Sequence, residues 1–206
     1  MSAIDALARL GTEVAEDQWG LVTRAQAMDL GVPAATFARL TGAGVLVRVA
    51  HGVYRVVGGA DPGHVDLRAA WLQLDAVTPA WKRVRATDAA VVSHRSAAEL
   101  FGLGDLIADI HEFSVPFRQQ TRRTDIRLHL RPVPAGDREL LHGLPVTRPH
   151  RLAADLVAAH EDGAAVAAIV AEAIERRLTT AIAVGNAVAR VDPDHGLVRD
   201  LLGRAA

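Results

Sequence analysis

Nine histidines and 24 carboxylates have the means to do chemistry, and their spacing limits what they can do. His111-Glu112 opens a zinc-protease HExxH pattern only if position 115 is histidine, and Val115 stands there. His160-Glu161 fails in the same way at Ala164. Ser93-His94 lacks the glycine-flanked elbow that exposes a serine nucleophile, so Ser93 reads as a helix cap. Asp192-Pro193-Asp194 superficially resembles a nucleotidyltransferase carboxylate pair, but a proline turn between helices explains it better. Asp125-Ile126-Arg127 imitates a nuclease acid-x-Lys step with arginine in place of lysine.

Of 23 basic residues, Lys82 alone is lysine. It follows Trp81 rather than glycine, which excludes a Walker A loop, and Ala80 stands where an acid-x-Lys step needs a carboxylate. A Schiff-base enzyme would have to use this one residue. With no cysteine there are no disulfides, thiolates or sulfur-ligated metals. The expectation is a protein without catalytic residues, metal site or cofactor.

The elements that position side chains come next. With 206 residues, half of them hydrophobic, the chain can bury a core as one large domain or two small ones. The longest unbroken apolar run, Ala164 to Ala171, is too short to span a bilayer. The N-terminus lacks a signal-peptide pattern. These bounds point to a soluble, cytoplasmic protein that keeps off membranes.

The formal net charge of −1 hides segregation. Residues 1–18 carry Arg9 against Asp5, Glu13, Glu16 and Asp17, a net of −3. Residues 19–57 carry Arg24, Arg39, Arg48 and Arg55 against Asp29 alone, a net of +3. Residues 116–131 carry Arg118, Arg122, Arg123, Arg127 and Arg131 against Asp125, a net of +4. Two basic segments set among neutral and acidic ones suit a surface that meets a polyanion.

Ile4, Leu7, Leu10 and Val14 recur at helical spacing and predict a first helix over 3–17. Thr23-Arg24-Ala25-Gln26 is a capping box opening a second, short helix over 24–30 that Gly31 ends. Pro33 opens a third helix to about Ala43, with Phe37, Leu40 and Thr41 on one face and Ala35, Arg39 and Gly42 on the other. Val45–Val49 and Val53–Val57 flank Ala50-His51-Gly52 as a hairpin. Three helices and a hairpin in sixty residues outline a winged helix-turn-helix, with Arg48, His51 and Arg55 on or near the wing. In such a domain the third helix enters the major groove. Ala34, Ala35 and Thr36 would let the backbone approach and touch thymine methyls, Arg39 would read a guanine or a phosphate, and Arg24, Arg48 and Arg55 would neutralise phosphates.

The stretch Gly20-Leu21-Val22-Thr23-Arg24-Ala25-Gln26-Ala27, with Gly31-Val32, Arg39-Leu40, Gly44 and His51-Gly52-Val53-Tyr54-Arg55, resembles the N-terminal domain of AbiEi-type antitoxins. Val92-Ser93-His94-Arg95-Ser96-Ala97-Ala98-Glu99-Leu100, Gly102-Leu103, Gly143-Leu144-Pro145-Val146-Thr147 and Asp155-Leu156 extend the resemblance over most of the chain. It implies an antitoxin of a two-gene bacterial system whose toxin is a nucleotidyltransferase. In that family the winged helix binds inverted repeats in the operon's own promoter and represses it, and the C-terminal domain is associated with relief from the toxin. The third helix here carries only Arg39, fewer cations than many such helices show. Three or four phosphate contacts make a monomer bind weakly, so a dimer on DNA or a second contact surface is expected.

Gly58-Gly59-Ala60-Asp61-Pro62-Gly63 is a turn-rich break, giving a winged-helix domain over 1–60 and a mixed α/β domain over 61–206, an α+β protein overall. The second part predicts a linking helix over 65–77, a strand over 89–92, and a helix capped by Ser93 or by a Ser96-Glu99 box. Strands over 110–117 and 126–131 and helices over 149–160, 162–177 and 180–190 follow. Arg118, Arg122, Arg123 and Arg127 would extend the DNA footprint, or dock on a toxin or an RNA. The competing readings are a stand-alone winged-helix regulator without a toxin, and a nuclease using Asp125.

Overall fold

The computed structural model describes residues 1–58, 63–121 and 123–192. The chain is mixed α+β and divides into two compact units, Met1–Ala86 and Thr87–Ala206. The first unit therefore runs well past the glycine-rich break, where a boundary was expected after residue 60.

Its elements are α1 (Ala3–Leu10), a single π-helical turn (Gly11–Ala15), β1 (Leu21–Thr23), α2 (Arg24–Asp29), α3 (Ala34–Gly42), β2 (Leu46–Ala50), β3 (Val53–Val56), α4 (Val65–Leu74) and α5 (Ala80–Arg83). The strands form an antiparallel sheet in the order β1-β3-β2. The buried stripe of α1 and its continuation is Ala6, Leu10 and Val14, one turn apart, whereas Ile4 is 80% exposed. Small Ala6 lets the helix settle close to its neighbours, and the expected Ile4 anchor is left on the outside. These side chains meet Val22, Ala27, Val32, Phe37, Leu40 and Leu46 in one core. The Thr23 hydroxyl accepts from the Gln26 amide while the Gln26 side chain accepts from the Thr23 amide, the capping box expected of α2. Gly31, at φ +73°, takes the left-handed conformation that stops the helix. Phe37 of α3 meets Tyr54 of β3 edge to face at 4.8 Å between centroids.

What carries the unit to residue 86 is the other face of the sheet. Tyr54 and Val56 point into the helical core, so Val53 and Arg55 point the opposite way, toward the side on which α4 packs. There Trp71 of α4 is fully buried and meets Trp19 edge to face at 6.1 Å. The Arg68 guanidinium lies over Trp19 at 5.0 Å and that of Arg83 over Trp71 at 3.9 Å. Arg83 also donates to the Asp75 and Trp71 carbonyls, at 2.8 and 3.1 Å. The Thr23 hydroxyl donates to the Ala76 carbonyl, and the Ala80 amide donates to Gln18 Oε1 at 2.8 Å. The residues 65–77, read as a linking helix, are thus part of the first unit's own packing.

The second unit contains β4 (Val91–Val92), α6 (His94–Phe101), β5 (His111–Val115), β6 (Ile126–Leu130), β7 (Arg138–Leu141), β8 (Leu144–Thr147), α7 (Pro149–Ala158), α8 (Gly163–Glu175) and α9 (Ala181–Val188). Its sheet has the order β6-β5-β4-β8-β7. The pairs β5–β6 and β4–β8 are parallel, and β4–β5 and β7–β8 antiparallel. The β7–β8 hairpin was not foreseen. It turns at His142-Gly143, both at positive φ, where Asn-Gly would have been the readable signal. Val166, Ala167, Ile169, Val170 and Ala173 make α8 a helix buried along one face. Among the described residues no helix is long and apolar enough to cross a membrane.

Candidate nucleic-acid interface

The exposed face of α3 consists of Ala34, Ala35, Ala38, Arg39 and Gly42, with Phe37 and Leu40 turned into the core. Apart from Arg39 it has no long side chain, so a flat surface could approach this backbone closely. Thr36 is buried, and its hydroxyl accepts from the Arg39 guanidinium at 3.1 Å. It holds Arg39 rather than offering a contact of its own. Pro33 precedes the helix with no side-chain cap, so the first-turn amides of α3 have no capping side chain.

A second group converges on the hairpin tip. The Arg24 amide, at the start of α2, donates to the Gly52 carbonyl at 2.8 Å. Gly52 sits in the turn at φ +72°, which a side chain would strain. Arg48 of β2 stands directly opposite Tyr54 of β3, hence on the α3 side of the sheet, and donates to His51 Nδ1 at 3.1 Å and to the Ala50 carbonyl at 3.2 Å. A register shift between Arg48 and Ala50 marks a bulge that turns the tip. The His51 carbonyl accepts from Gln73 of α4 at 2.6 Å, which braces the tip from behind. Arg24, Arg48 and His51 are all exposed. Arg55 is half-buried and lies on the opposite sheet face from Arg48, so the structure separates it from this group.

The other arginine cluster disperses. Arg118 is exposed. Arg123 closes a two-pronged ion pair on Asp125, whose carboxyl is held below the ordinary range chiefly by that hydrogen bond. Arg127 is exposed on β6. Arg122 lies outside the described residues, as do Pro193 and Asp194. The carboxylate that mimicked a nuclease acid is thus engaged by an arginine.

The second unit holds a buried polar cluster that spacing did not reveal. Ser93 precedes α6 but makes no side-chain cap. Its hydroxyl lies 2.9 Å from Nδ1 of His94, a buried residue in left-handed backbone at φ +53°. The Ser96-Glu99 box is also absent. Ser96 sits inside the helix, donating to the Ile110 carbonyl and accepting from the Glu112 amide. His94 stacks on His129 at 3.5 Å between centroids. His129 Nε2 donates to Glu112 Oε1 at 3.1 Å, and the Arg95 amide donates to Glu112 Oε2 at 3.0 Å. Burial, then the adjacent imidazole of His129, push His94 down to about 3. Burial would raise the Glu112 carboxyl, but hydrogen bonds and the imidazoles bring it below its usual value. The path from Ser93 to Glu112 passes between the imidazoles by stacking, so it is no nucleophile-base-acid relay. Among the described residues no group of three or more His, Asp or Glu is placed to hold a metal.

Comparison with known proteins places the first of these regions. Residues 12–57 match the family model described as a transcriptional regulator, AbiEi antitoxin. This AbiEi-like segment, residues 12–57, lies within the first unit. The AbiEi segment takes in β1, α2, α3, β2 and β3, with every residue of the α3 face and the hairpin tip. The crystal structure of the RV2827C protein from Mycobacterium tuberculosis shares the fold, with a TM-score of 0.60 at 16% identity, over 98% of this chain and 78% of that one. No match was found among curated proteins.

Proposed function

We propose that this protein is a DNA-binding antitoxin. Its AbiEi segment acts as a winged helix on inverted repeats in its own promoter and represses the operon, and the protein counteracts a nucleotidyltransferase-like toxin encoded beside it. The observation that carries the reading is the hydrogen bond from the Arg24 amide to Gly52. It ties the start of α2 to the hairpin tip, so that Arg24, Arg48 and His51 form one basic rim. The bare Ala34-Ala35-Ala38 surface of α3, on the Arg48 side of the sheet, suits a major groove, with Arg39 steadied by Thr36 for a guanine edge or a phosphate. Arg24, Arg39 and Arg48 give about three phosphate contacts per copy, a salt slope of roughly −3. Two copies on a repeat would double it, which favours a dimer on DNA. No catalytic step belongs to this role.

Fluorescence anisotropy with the protein's own upstream region and a scrambled duplex, at several salt concentrations, tests the DNA half. Preference for the upstream region, reduced by Arg39→Ala and by Arg48→Ala, supports it, and equal binding to both duplexes rejects it. Co-expression with the neighbouring gene tests the antitoxin half. Rescue from a toxic neighbour supports it, and a neighbour without toxicity leaves a stand-alone regulator.

A further inference from the structure

The basic rim of the first unit is assembled from two pieces distant in sequence, the start of α2 with Arg24 and the hairpin tip with Arg48 and His51. The end of α4 meets both. The Gln73 side-chain amide, on α4, donates to the His51 carbonyl at 2.6 Å. Just past the helix, the Ala76 carbonyl accepts from the Thr23 hydroxyl, at the residue that caps α2. The Arg24 amide, donating to the Gly52 carbonyl at 2.8 Å, joins the remaining pair. The start of α2, the tip and the end of α4 are thus bonded pairwise in a closed triangle. With Arg48 donating to the Ala50 carbonyl at 3.2 Å, the carbonyls of Ala50, His51 and Gly52 are engaged in turn by β2, α4 and α2. The turn itself does not need Gln73. Ala50 pairs with Val53 across it, and Gly52, at φ +72°, supplies the left-handed residue that closes it. What Gln73 adds is a fixed bearing of the tip on α4, and the fully buried Trp71, two residues earlier, anchors that helix. Gln73 is half-buried and lies outside the AbiEi segment of residues 12–57.

We propose that Gln73 is a positioning residue for DNA binding, holding the hairpin tip at the angle at which Arg48 meets the same duplex as Arg24. The proposal rests on the DNA-binding reading and assigns part of that site's geometry to α4. A two-stranded tip held only at its base is free to tilt, and motion that must be arrested on binding costs affinity. Here two successive tip carbonyls are held by two different helices, so the tilt is arrested before a duplex arrives. Gln73 carries no charge and bonds to the tip's backbone, while the cation it serves, Arg48, points to the α3 side of the sheet. Its influence on binding therefore passes through the orientation of the tip and not through a contact of its own.

The test is a double-mutant cycle on the full-length protein, read by anisotropy on its own upstream duplex and a scrambled one across a salt series. Gln73→Leu keeps the bulk of the side chain and removes the donor. It should weaken binding to the upstream duplex by about three- to tenfold and flatten the salt slope toward that of Arg48→Ala. Adding Arg48→Ala to Gln73→Leu should then cost less than about twofold, whereas Arg39→Ala should cost the same in either background. A role in stability alone would lower the unfolding midpoint and leave Gln73 and Arg48 additive. Additivity therefore overturns the proposal, as does an upstream preference that wild type and Gln73→Leu show at equal affinity. Equal binding of wild type to both duplexes is a different result: it rejects the DNA-binding reading itself, and the role of Gln73 falls with it. If Gln73→Leu fails to fold, Gln73→Asn, one methylene too short to reach His51, decides by the same cycle.

Discussion

The exposed rim of the first unit and the buried cluster of the second use similar residues in opposite ways. Arg24 and Arg48 stand in solvent beside the exposed His51, where each guanidinium charge is cheap to keep and contributes little until a polyanion arrives. His94, Glu112 and Asp155 are withdrawn from water, so each carries a desolvation penalty whether or not a ligand is present. The rim should therefore be sensitive to salt and nearly silent in stability, while the interior should be sensitive to pH and prominent in stability.

The largest expected effect tests whether the rim has a separate scaffold. Trp71→Ala removes the fully buried ring between Trp19 and Arg83 and should destabilise the first unit by about 3–5 kcal/mol, measured by denaturant unfolding. A fragment ending at residue 60 should fail to unfold cooperatively, and one ending at residue 86 should succeed. If the short fragment folds like the longer one, α4 is an accessory and not part of the unit.

Acid should separate the two regions next. His94 has a folded value near 3 against an unfolded value of about 6.5, so its stabilisation is complete above 6.5 and fades as pH falls from there toward 3. The loss should reach roughly 3 kcal/mol by pH 4. Glu112, also lowered, adds to the loss at the acid end, and Asp155, raised by burial, opposes it. Unfolding midpoints of the second unit between pH 7 and pH 4 check this, with a flatter profile in His94→Gln. A profile that His94→Gln leaves unchanged would remove His94 as the source.

Smaller effects belong to the helix start and the rim. Thr23→Ala deletes a hydroxyl that both caps α2 and reaches Ala76, for a loss of about 1–2 kcal/mol in thermal or denaturant unfolding. Arg48→Ala should flatten the salt slope of DNA binding by about 1 with stability unchanged. Arg55→Ala should leave that slope unaltered, and equal effects from the two would put Arg55 back on the binding face.

The helices were legible because their signals are local. Thr23 with Gln26, Gly31, and the Phe37–Leu40 stripe each act within a turn or two, and all three appear in the structure as read. The hairpin tip was readable from Gly52, but the bond from the Arg24 amide joins residues 28 positions apart and leaves no periodic trace. The boundary was misplaced because Gly58 to Gly63 has the composition of a linker, while the packing of Trp71 against Trp19 depends on chain reversal. Ser93 was read as a cap because Ser before a helix usually is one. Its hydroxyl turns to His94 instead, and the His94 contact with His129 across 35 residues is a tertiary fact. One signal was available: Arg127 and His129 alternate along β6, which places them on one side of the strand.

The position of β6 at the rim of its sheet has a further consequence. An outermost strand carries a row of free amides and carbonyls that a second molecule could zip onto, and Leu130, 61% exposed on its other side, would reward such stacking. Arg127 on that strand and Arg131 just past its end make that approach a collision of like charges. The same guanidinium groups therefore act as gatekeepers of solubility, and preparations in which both are neutralised should be watched for fibrils.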